Sequence, residues 1–574
     1  MEQIVIPDVN ALQVSAGDSL KSVMQRISAA GRQGLPAGIA LIVSGDGVLE
    51  GVVTDGDIRR GLLDGVTLDD SVDRIMTRDP IVFDSSMTFR EILDAIPRRI
   101  VEKRRYRSGI MEKVIIADRF GRVERVLDFL ELWRNQTALH RHVAVVGLGY
   151  VGLTLAVTLA EAGFRISGVE ANDRTRDSLL AGTPHFHEVG LDPLFKHHLG
   201  RNLQIGAEPP AAAEIYVLSV ATPVRDHQPD LADLLAATDQ VARVLSYGDL
   251  VVLRSTCPVG VSRNEVLPVL ERVSGMKCGR DFFLAFAPER TIEGMALSEL
   301  RALPQVIGGY DQNSLDMAAS LFREITPLII TVSSLESAEM IKLANNSFRD
   351  LNFAFANQLA MICEHYNLDT TEIIRAANRE YPRDRIPVPS PGVGGPCLKK
   401  DPYIFAEAAR AGNVNHSLSL HGRRINEAMP ELVVSKLLRA LDRLGKKPAD
   451  SKFFLVGFAF KGEPETSDVR DSVTLDVLGL LRPLAGEIYG YDPVVPASEI
   501  EKLGVKSCSI EEGFAGADCV VVLNNHRSYA QMDIYNCLTL MSRPAVYCDC
   551  WHIFSPDDVK QIEGVTYVGL GFTI

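Results

Sequence analysis

The chain has 574 residues, 23 % charged and 46 % hydrophobic, an ordinary globular balance for about three to four domains. Sixty basic and 74 acidic residues leave a formal net charge of −14. That argues against nucleic-acid binding through the overall field, while leaving room for an anionic ligand in a local basic pocket. Nine cysteines, sparse and odd in number, point away from a disulfide scaffold and toward a reducing, cytoplasmic compartment.

The opening MEQIVIPDVN has neither the basic stretch nor the apolar run of a signal peptide. Residues 1–137 predict an α+β module. IALIVSGDGVLEGVVTDGDIRRGLL reads strand, turn, strand, helix, with Gly45-Asp46-Gly47 as the hairpin turn. VDRIMTRDPIVFD and, further on, KVIIADRFGRVERVLDFLELW read as a second copy. This pair, with Gly51-Val52-Val53-Thr54-Asp55-Gly56-Asp57-Ile58 as its most specific segment, resembles a tandem CBS domain. The resemblance implies an adenine nucleotide whose ribose is held by Thr54 and Asp57. In the second copy those places fall on Asp128 and Glu131, where a carboxylate replaces the hydroxyl. The run Arg98, Arg99, Lys103, Arg104, Arg105 and Arg107 reads as a solvated helix face, with phosphate contact as the alternative.

Ala138 to His142 is a short connector. Val143 to Ala160 is 18 residues long without a charge, long enough to raise a membrane span. Three glycines in six residues favour strand–turn–helix instead. The strand is Val143 to Val146, the glycines are Gly147, Gly149 and Gly152, and a second strand ends at Glu170. This order matches the dinucleotide fingerprint. The first glycine allows the tight turn, the second lets the pyrophosphate approach, and the third lets helix and strand pack closely. Glu170 stands where an acid binds the ribose hydroxyls and repels a 2′-phosphate, which favours NAD over NADP.

The layout recurs near the C-terminus. Lys452 to Gly462 and Gly490 to Val495 repeat the strand–turn and second-strand pattern, and Cys519 to His526 reads as a further parallel strand. Ala459 replaces the middle glycine and Lys461 sits in the turn, which suits a single phosphate group better than a dinucleotide. From about Ser334 to Arg443 the pattern is mostly helical. In the long helix that follows Ser334, Lys342 and Asn346 are four apart and share a face, so an ammonium and an amide lie side by side as an oxyanion clamp. PSPGVGGPCLKKDPYIF then brings Gly392, Gly394 and Gly395 before Cys397, with Asp401 four residues on. Taken alone, Cys397 reads as an inert buried cysteine; the alternative is a low-pKa nucleophile beside a lysine.

VVGLGYVGL, SVATPV, RSTCPVG, FAPERTIEG, AEMIKLANNSF, PGVGGPCLKKDP, RRINEAMP, VGFAFKGEPETSDVRDS and YDP occur in that order. From Val143 to Ile574 the chain thereby resembles the UDP-glucose/GDP-mannose dehydrogenase family, which oxidises a sugar-nucleotide alcohol at C6 to a carboxylate with two NAD. The implied fold class is α/β. Two Rossmann-like doubly wound parallel-sheet domains (138–333, binding NAD, and 444–574, binding the UDP-sugar) are joined by a central helical, dimerising region (334–443). The α+β CBS pair precedes them. The resemblance implies Cys397 as nucleophile, Lys342 and Asn346 at the oxyanion, and Asp401 and Thr256 on a proton-handling water. Glu289 is the implied base for thioester hydrolysis, and Glu293 supports an ordered water. Gly147, Gly149, Tyr150, Val151, Gly152, Glu170, Arg174, Thr222, Thr256 and Arg470 fall toward NAD. Ser390, Gly394 and Lys461, with Lys342 and Asn346, fall toward the sugar nucleotide. No metal is implied.

Two departures from the family pattern, Lys399 and Glu170, leave this chemistry intact. PGVGGPC and PERTIEG favour a UDP-N-acetylhexosamine over UDP-glucose, for surface-polysaccharide precursors. The rival readings are a nucleotide sensor with a vestigial enzyme body, or an active enzyme whose N-terminal pair serves assembly alone. His185, His187, His197 and His198 read as surface histidines, since no metal-ligand spacing accompanies them or Glu188. Cys548 and Cys550 read as packing residues facing one side of a strand. Trp133 and Trp551 carry no readable role. A homodimer or higher homo-oligomer is expected, with neither nucleic acid nor membrane as partner.

Overall fold

Two copies of one strand arrangement build the N-terminal module. In β1 (Gln13–Val14), β2 (Ile39–Val43), β3 (Leu49–Thr54) and β4 (Thr77–Arg78), β1 runs parallel to β2, and β2–β3–β4 are antiparallel. In β5 (Val82–Asp84), β6 (Lys113–Ala117) and β7 (Val123–Asp128), β5 runs parallel to β6 and β6 antiparallel to β7. Both hairpins carry a register shift at one place, Ile42/Val43 and Ile116/Ala117. Ile39 faces Thr54 and Lys113 faces Asp128, so Asp128 holds the register position of Thr54. The two hairpin turns meet: Val48 bridges Arg122, and Leu49 N–H donates to Gly121 O at 3.0 Å.

The computed structural model describes residues 9–32, 38–87, 91–92, 95–96, 99, 113–128, 141–225, 228–414 and 417–571. Glu131, Trp133, most of the basic run and most of the connector lie outside these residues, as does the 137/138 boundary.

The body begins with β8 (His142–Val146), β9 (Arg165–Val169), β10 (Leu203–Gly206) and β11 (Ile215–Leu218). A short hairpin, β12 (Val224–Arg225) and β13 (Gln228–Pro229), precedes β14 (Leu250–Leu253), β15 (Phe283–Phe286), β16 (Gln305–Gly309) and β17 (Ile329–Val332). Omitting the hairpin, these form one eight-stranded sheet in the order β10-β9-β8-β11-β14-β15-β16-β17. HVAVV, IYVL, LVVL and FLAF are buried at every position. Unbroken apolar runs of this kind belong to strands covered on both faces. The sheet departs from the expected all-parallel form at one seam, where β15 and β16 pair antiparallel. The apolar core on one face of the sheet continues from Val143, Val145 and Leu155 to Ile81, Phe83, Val114 and Ile116 of the second repeat.

Ser334 caps the 31-residue helix Leu335–His365 through its hydroxyl and the Ser337 N–H. This helix packs along the helix Leu418–Arg443. The C-terminal sheet is all parallel: β18 (Lys452–Val456), β19 (Glu487–Tyr491), β20 (Lys506–Ser507), β21 (Cys519–Val522), β22 (Ala545–Asp549) and β23 (Val565–Gly569), in the order β20-β19-β18-β21-β22-β23. Among the described residues, no helix is long and apolar enough to cross a membrane.

Candidate active site

The glycines after β8 do three different things. Gly147 has φ +91°, and a Cβ there would meet the Ser219 carbonyl oxygen at 2.7 Å. A Cβ on Gly152 would lie 1.8 Å from the Gly147 oxygen. Those two are required by packing. A Cβ on Gly149 would have no heavy atom within 4 Å, and Gly149 lines the large cleft, so its missing side chain leaves space for a ligand. The helix Tyr150–Glu161 starts there with free N–H groups. Glu170 accepts from Leu148 N–H at 3.1 Å and Asn172 N–H at 2.8 Å, which holds its carboxylate at the turn. This arrangement fits an NAD pyrophosphate and ribose. Arg174, expected at the cofactor, is exposed on the helix Asp173–Leu180.

The cleft, about 1220 Å³, is lined by residues of both sheet domains and the central helices. Cys397, Lys342, Glu289, Glu293, Thr256, Thr222, Arg470, Tyr150 and Val151 all face it. Asp401 stands behind Cys397, fully buried at the start of the helix Asp401–Ala411. Its carboxylate accepts from Asn346 Nδ2 at 2.5 Å and lies 3.2 Å from Lys400 Nζ. Lys400 also reaches Thr222 Oγ1 at 3.4 Å, and Thr222 in turn donates to the Thr256 carbonyl.

Cys397 opens into the cleft but is walled by protein. Burial and Asp401 push its thiol above the usual range, against the pull of Lys342 and Lys400. The two lysines pull the thiol toward the thiolate, and packing and the buried carboxylate pull it the other way.

The two glutamates of PERTIEG differ sharply. Burial would raise Glu289, yet Arg254, Thr291 and Lys342 outweigh it and hold the carboxyl below the usual range. Arg254, fully buried, pairs with Glu289 Oε2, donates to Ala287 O and Gln305 Oε1 at 3.1 Å each, and lies over the Phe322 ring. Burial and Asp468 push Glu293 up to about 7, against Arg470, Lys461 and Thr466. Lys461 donates to the Glu293 carbonyl at 2.5 Å, and burial lowers its ammonium to about 8.

The Gly-rich loop is shaped by its own groups. Ser390, expected at the sugar nucleotide, is buried, takes its N–H to Asn357 and donates its hydroxyl to Gly392 O at 2.8 Å. The hydroxyl's one proton is thereby committed within the loop. A Cβ on Gly394 would lie 2.7 Å from Asp471 O, so this glycine seats the loop against the C-terminal domain.

Several supporting residues went unread in the sequence. Glu339 lies one turn before Lys342 and accepts from Gly260 and Ser262 N–H at 2.5 and 2.9 Å, tying the loop after Thr256 to the helix of Lys342. Arg423 donates to Asp350 at 2.7 Å and to the carbonyls of Val393 and Leu398, on both sides of Cys397. The repeat of carbonyl-rich loop against a buried donor explains the pair, since Arg carries a five-donor fork. Glu188 and His198, grouped in sequence with surface residues, are buried. Cys548 on β22 and Cys550 just past its end are buried with their sulfurs 3.7 Å apart, and Trp551 donates to Leu523 O.

A dinucleotide turn and a cysteine on one cleft, with a clamped amide–carboxylate pair buried behind the cysteine, define a nicotinamide-dependent oxidoreductase. The chain belongs to the UDP-glucose/GDP-mannose dehydrogenase family. The family's NAD binding domain matches residues 141–326, its central domain 336–428 and its UDP binding domain 454–556. It is an NAD-dependent nucleotide-sugar dehydrogenase. It is 32 % identical over 394 residues to the UDP-N-acetyl-D-mannosamine dehydrogenase of Pyrococcus horikoshii, covering 68 % of this chain and 91 % of that protein. It is 33 % identical over 401 residues to an NDP-N-acetyl-D-galactosaminuronic acid dehydrogenase of Ralstonia nicotianae, covering 68 % and 92 %. The solved structure of the Pyrococcus horikoshii UDP-D-ManNAc dehydrogenase superposes with a TM-score of 0.68 at 30 % identity, over 75 % of this chain and 99 % of that one. Residues 1–140 lie outside the three matched segments.

Proposed function

We propose that the protein oxidises the C6 hydroxyl of a UDP-N-acetylhexosamine to the uronate, a four-electron reaction through a covalent intermediate on Cys397. The observation that carries this reading is the convergence of Cys397, Lys342 and Glu293 on the cleft that Gly149 lines, with the buried Asn346–Asp401 pair behind Cys397. The names of the relatives support the N-acetylhexosamine class. Bound NAD supplies the hydride acceptor for both oxidations. Asp401 and Thr256 hold the water that takes the C6 hydroxyl proton. Lys342 and the second N–H of Asn346 stabilise negative charge on the C6 oxygen. The Cys397 sulfur adds to the aldehyde carbon as the carbonyl π bond opens, and the thiol proton passes to the former carbonyl oxygen. The resulting thiohemiacetal becomes a thioester, and water cleaves it.

The hydrolytic base is better served by Glu293 than by Glu289. Glu289 is locked as an anion on Arg254, whereas a carboxyl near 7 accepts a proton at neutral pH. Glu293 also acts on the Cys397 thiol electrostatically. Glu289 then serves as a fixed anion that orders the wall. Lys461 supplies the cation for the sugar-nucleotide phosphates.

The tandem repeat at the N-terminus supports a CBS pair, with Thr54 and Asp57 as its nucleotide residues. A second reading, assembly alone, is favoured by how those two side chains are used. Thr54 caps the helix Asp55–Leu63 and Asp57 returns the bond to Thr54 N–H at 2.9 Å, so each is satisfied without a ligand. Exposed Phe348, Phe355 and Ile362 on the long central helix, with Tyr366 just past its end, support a homo-oligomer. Nine free cysteines fit a reducing, cytoplasmic setting.

The test is NADH formation with UDP-GlcNAc, UDP-ManNAc, UDP-GalNAc, UDP-glucose and GDP-mannose, with and without AMP or ATP. Two NADH per sugar with a UDP-N-acetylhexosamine, lost in Cys397→Ser, is the expected result. Turnover confined to UDP-glucose or GDP-mannose would overturn the substrate class.

A further inference from the structure

The peptide unit joining Glu293 to Gly294 is gripped on both sides. Its carbonyl accepts from Lys461 Nζ at 2.5 Å. Its N–H donates to Glu188 Oε2 at 2.7 Å and lies 3.0 Å from Tyr150 Oη. Glu188 Oε1 accepts from Ala296 N–H at 2.8 Å, and the Tyr150 hydroxyl closes the group by donating to Glu188. Glu188 is 2 % exposed and comes from the loop after the helix Asp173–Leu180, 106 residues from Gly294. An anion meets the amide end of the peptide and a cation the carbonyl end, so both charges favour one orientation of the peptide dipole. Gly294 allows this path with φ +87°, and a Cβ there would lie 2.4 Å from Glu465 O. Tyr150 is the first residue of the helix behind the dinucleotide turn, and its ring walls the cleft.

We infer that Glu188 is a positioning residue for Glu293: it sets the backbone from which the Glu293 side chain enters the cleft, and links it through Tyr150 to the dinucleotide turn. The inference rests on the reading of Glu293 as hydrolytic base. A plain structural role also exists, because Glu188 supplies acceptors at the start of the helix Ala296–Ala302. The two roles part in their kinetics. A cap lowers stability; a positioning residue changes how the base titrates.

Glu188→Gln keeps size and one acceptor oxygen but turns an NH₂ toward an N–H. The pH dependence of kcat and both KM values are measured for wild type, Glu188→Gln, Glu188→Asp and Glu293→Gln, with thermal melting of each. In Glu188→Gln, kcat is expected to fall 10- to 100-fold while KM for NAD and sugar nucleotide stay within about threefold. The acid limb of the kcat profile is expected to move down toward the ordinary glutamate range, because a loosened Glu293 regains solvent. Glu188→Asp, which keeps the charge, recovers part of kcat. An unchanged kcat and acid limb in both Glu188 variants, with that limb absent in Glu293→Gln, overturns the inference and leaves the base assignment standing. A Glu293→Gln enzyme that keeps the acid limb overturns the base assignment instead. If Glu188→Gln fails to fold, Glu188→Asp decides: a lowered melting temperature with a wild-type kcat and acid limb overturns the inference.

Discussion

Asn346 donates to Asp401 at 2.5 Å across 55 residues of sequence, joining the long central helix to the helix that follows Cys397. One of the two amide protons is therefore committed, and its geometry aims the other. In the proposed route that second N–H meets the oxyanion, and the carboxylate that holds the amide is itself fully buried. Asp401→Asn removes the charge-assisted acceptor. It is expected to lower kcat by roughly 10²- to 10³-fold, the cost of one oxyanion donor, with melting and NAD binding retained as the check.

In the proposed route the acid limb of turnover is expected to report Glu293. Its carboxyl sits at about 7 against an ordinary value of 4.5. A base acts deprotonated, so activity is expected to fall as pH drops through about 7 rather than through the usual carboxylate range. In Glu293→Gln the limb disappears, and thioester accumulates on Cys397, detectable by mass spectrometry of quenched enzyme.

Lys461 predicts the opposite limb. Its ammonium is lowered to about 8, so the cation is lost as pH rises through that value. KM for the sugar nucleotide is expected to rise over the same range while KM for NAD holds. Lys461→Gln should show the raised KM at every pH.

The dinucleotide glycines separate packing from binding. Gly152→Ala places a Cβ 1.8 Å from Gly147 O. It is expected to cost about 1–3 kcal/mol of stability, as overpacking does. Gly149→Ala meets nothing within 4 Å. It should melt like wild type and bind NAD at least tenfold more weakly. Calorimetry and NAD titration of the two variants check the contrast.

Asp57→Ala breaks the reciprocal cap on the helix Asp55–Leu63. A loss of about 1 kcal/mol is expected. Titration with AMP and ATP separates the two readings of the module: saturable binding that vanishes in Asp57→Ala supports a nucleotide site, and no binding by wild type supports assembly.

The glycine turn, Glu170 and the Lys342–Asn346 face were legible because each depends on spacing within one or two elements. The repeat was legible for the same reason, down to Asp128 at the register of Thr54. Arg254–Glu289, Arg423–Asp350 and Glu339 with the Gly260 loop were not, since their partners lie 35 to 79 residues away. The direction of the Cys397 shift was also hidden. A lysine nearby in sequence is visible, whereas the depth of the cleft and the buried face of Asp401 are products of the fold. The bond from the Ser390 hydroxyl to Gly392 O was hidden as well, since it depends on how the loop folds.

The two sheet domains use the acid after their second strand alike, yet with different results. Glu170 takes one N–H of its turn, Leu148, and leaves the opening at Gly149. Asp492 takes the N–H groups of both Phe458 and Ala459, at 2.7 and 3.0 Å, and occupies the corresponding turn. Among the described residues, one turn per chain therefore remains for a dinucleotide. In the proposed route a spent cofactor must leave and a fresh one enter midway through each catalytic cycle. The covalent bond to Cys397 then works as a bookmark, keeping the half-oxidised sugar in place during that exchange and out of solution as a free aldehyde.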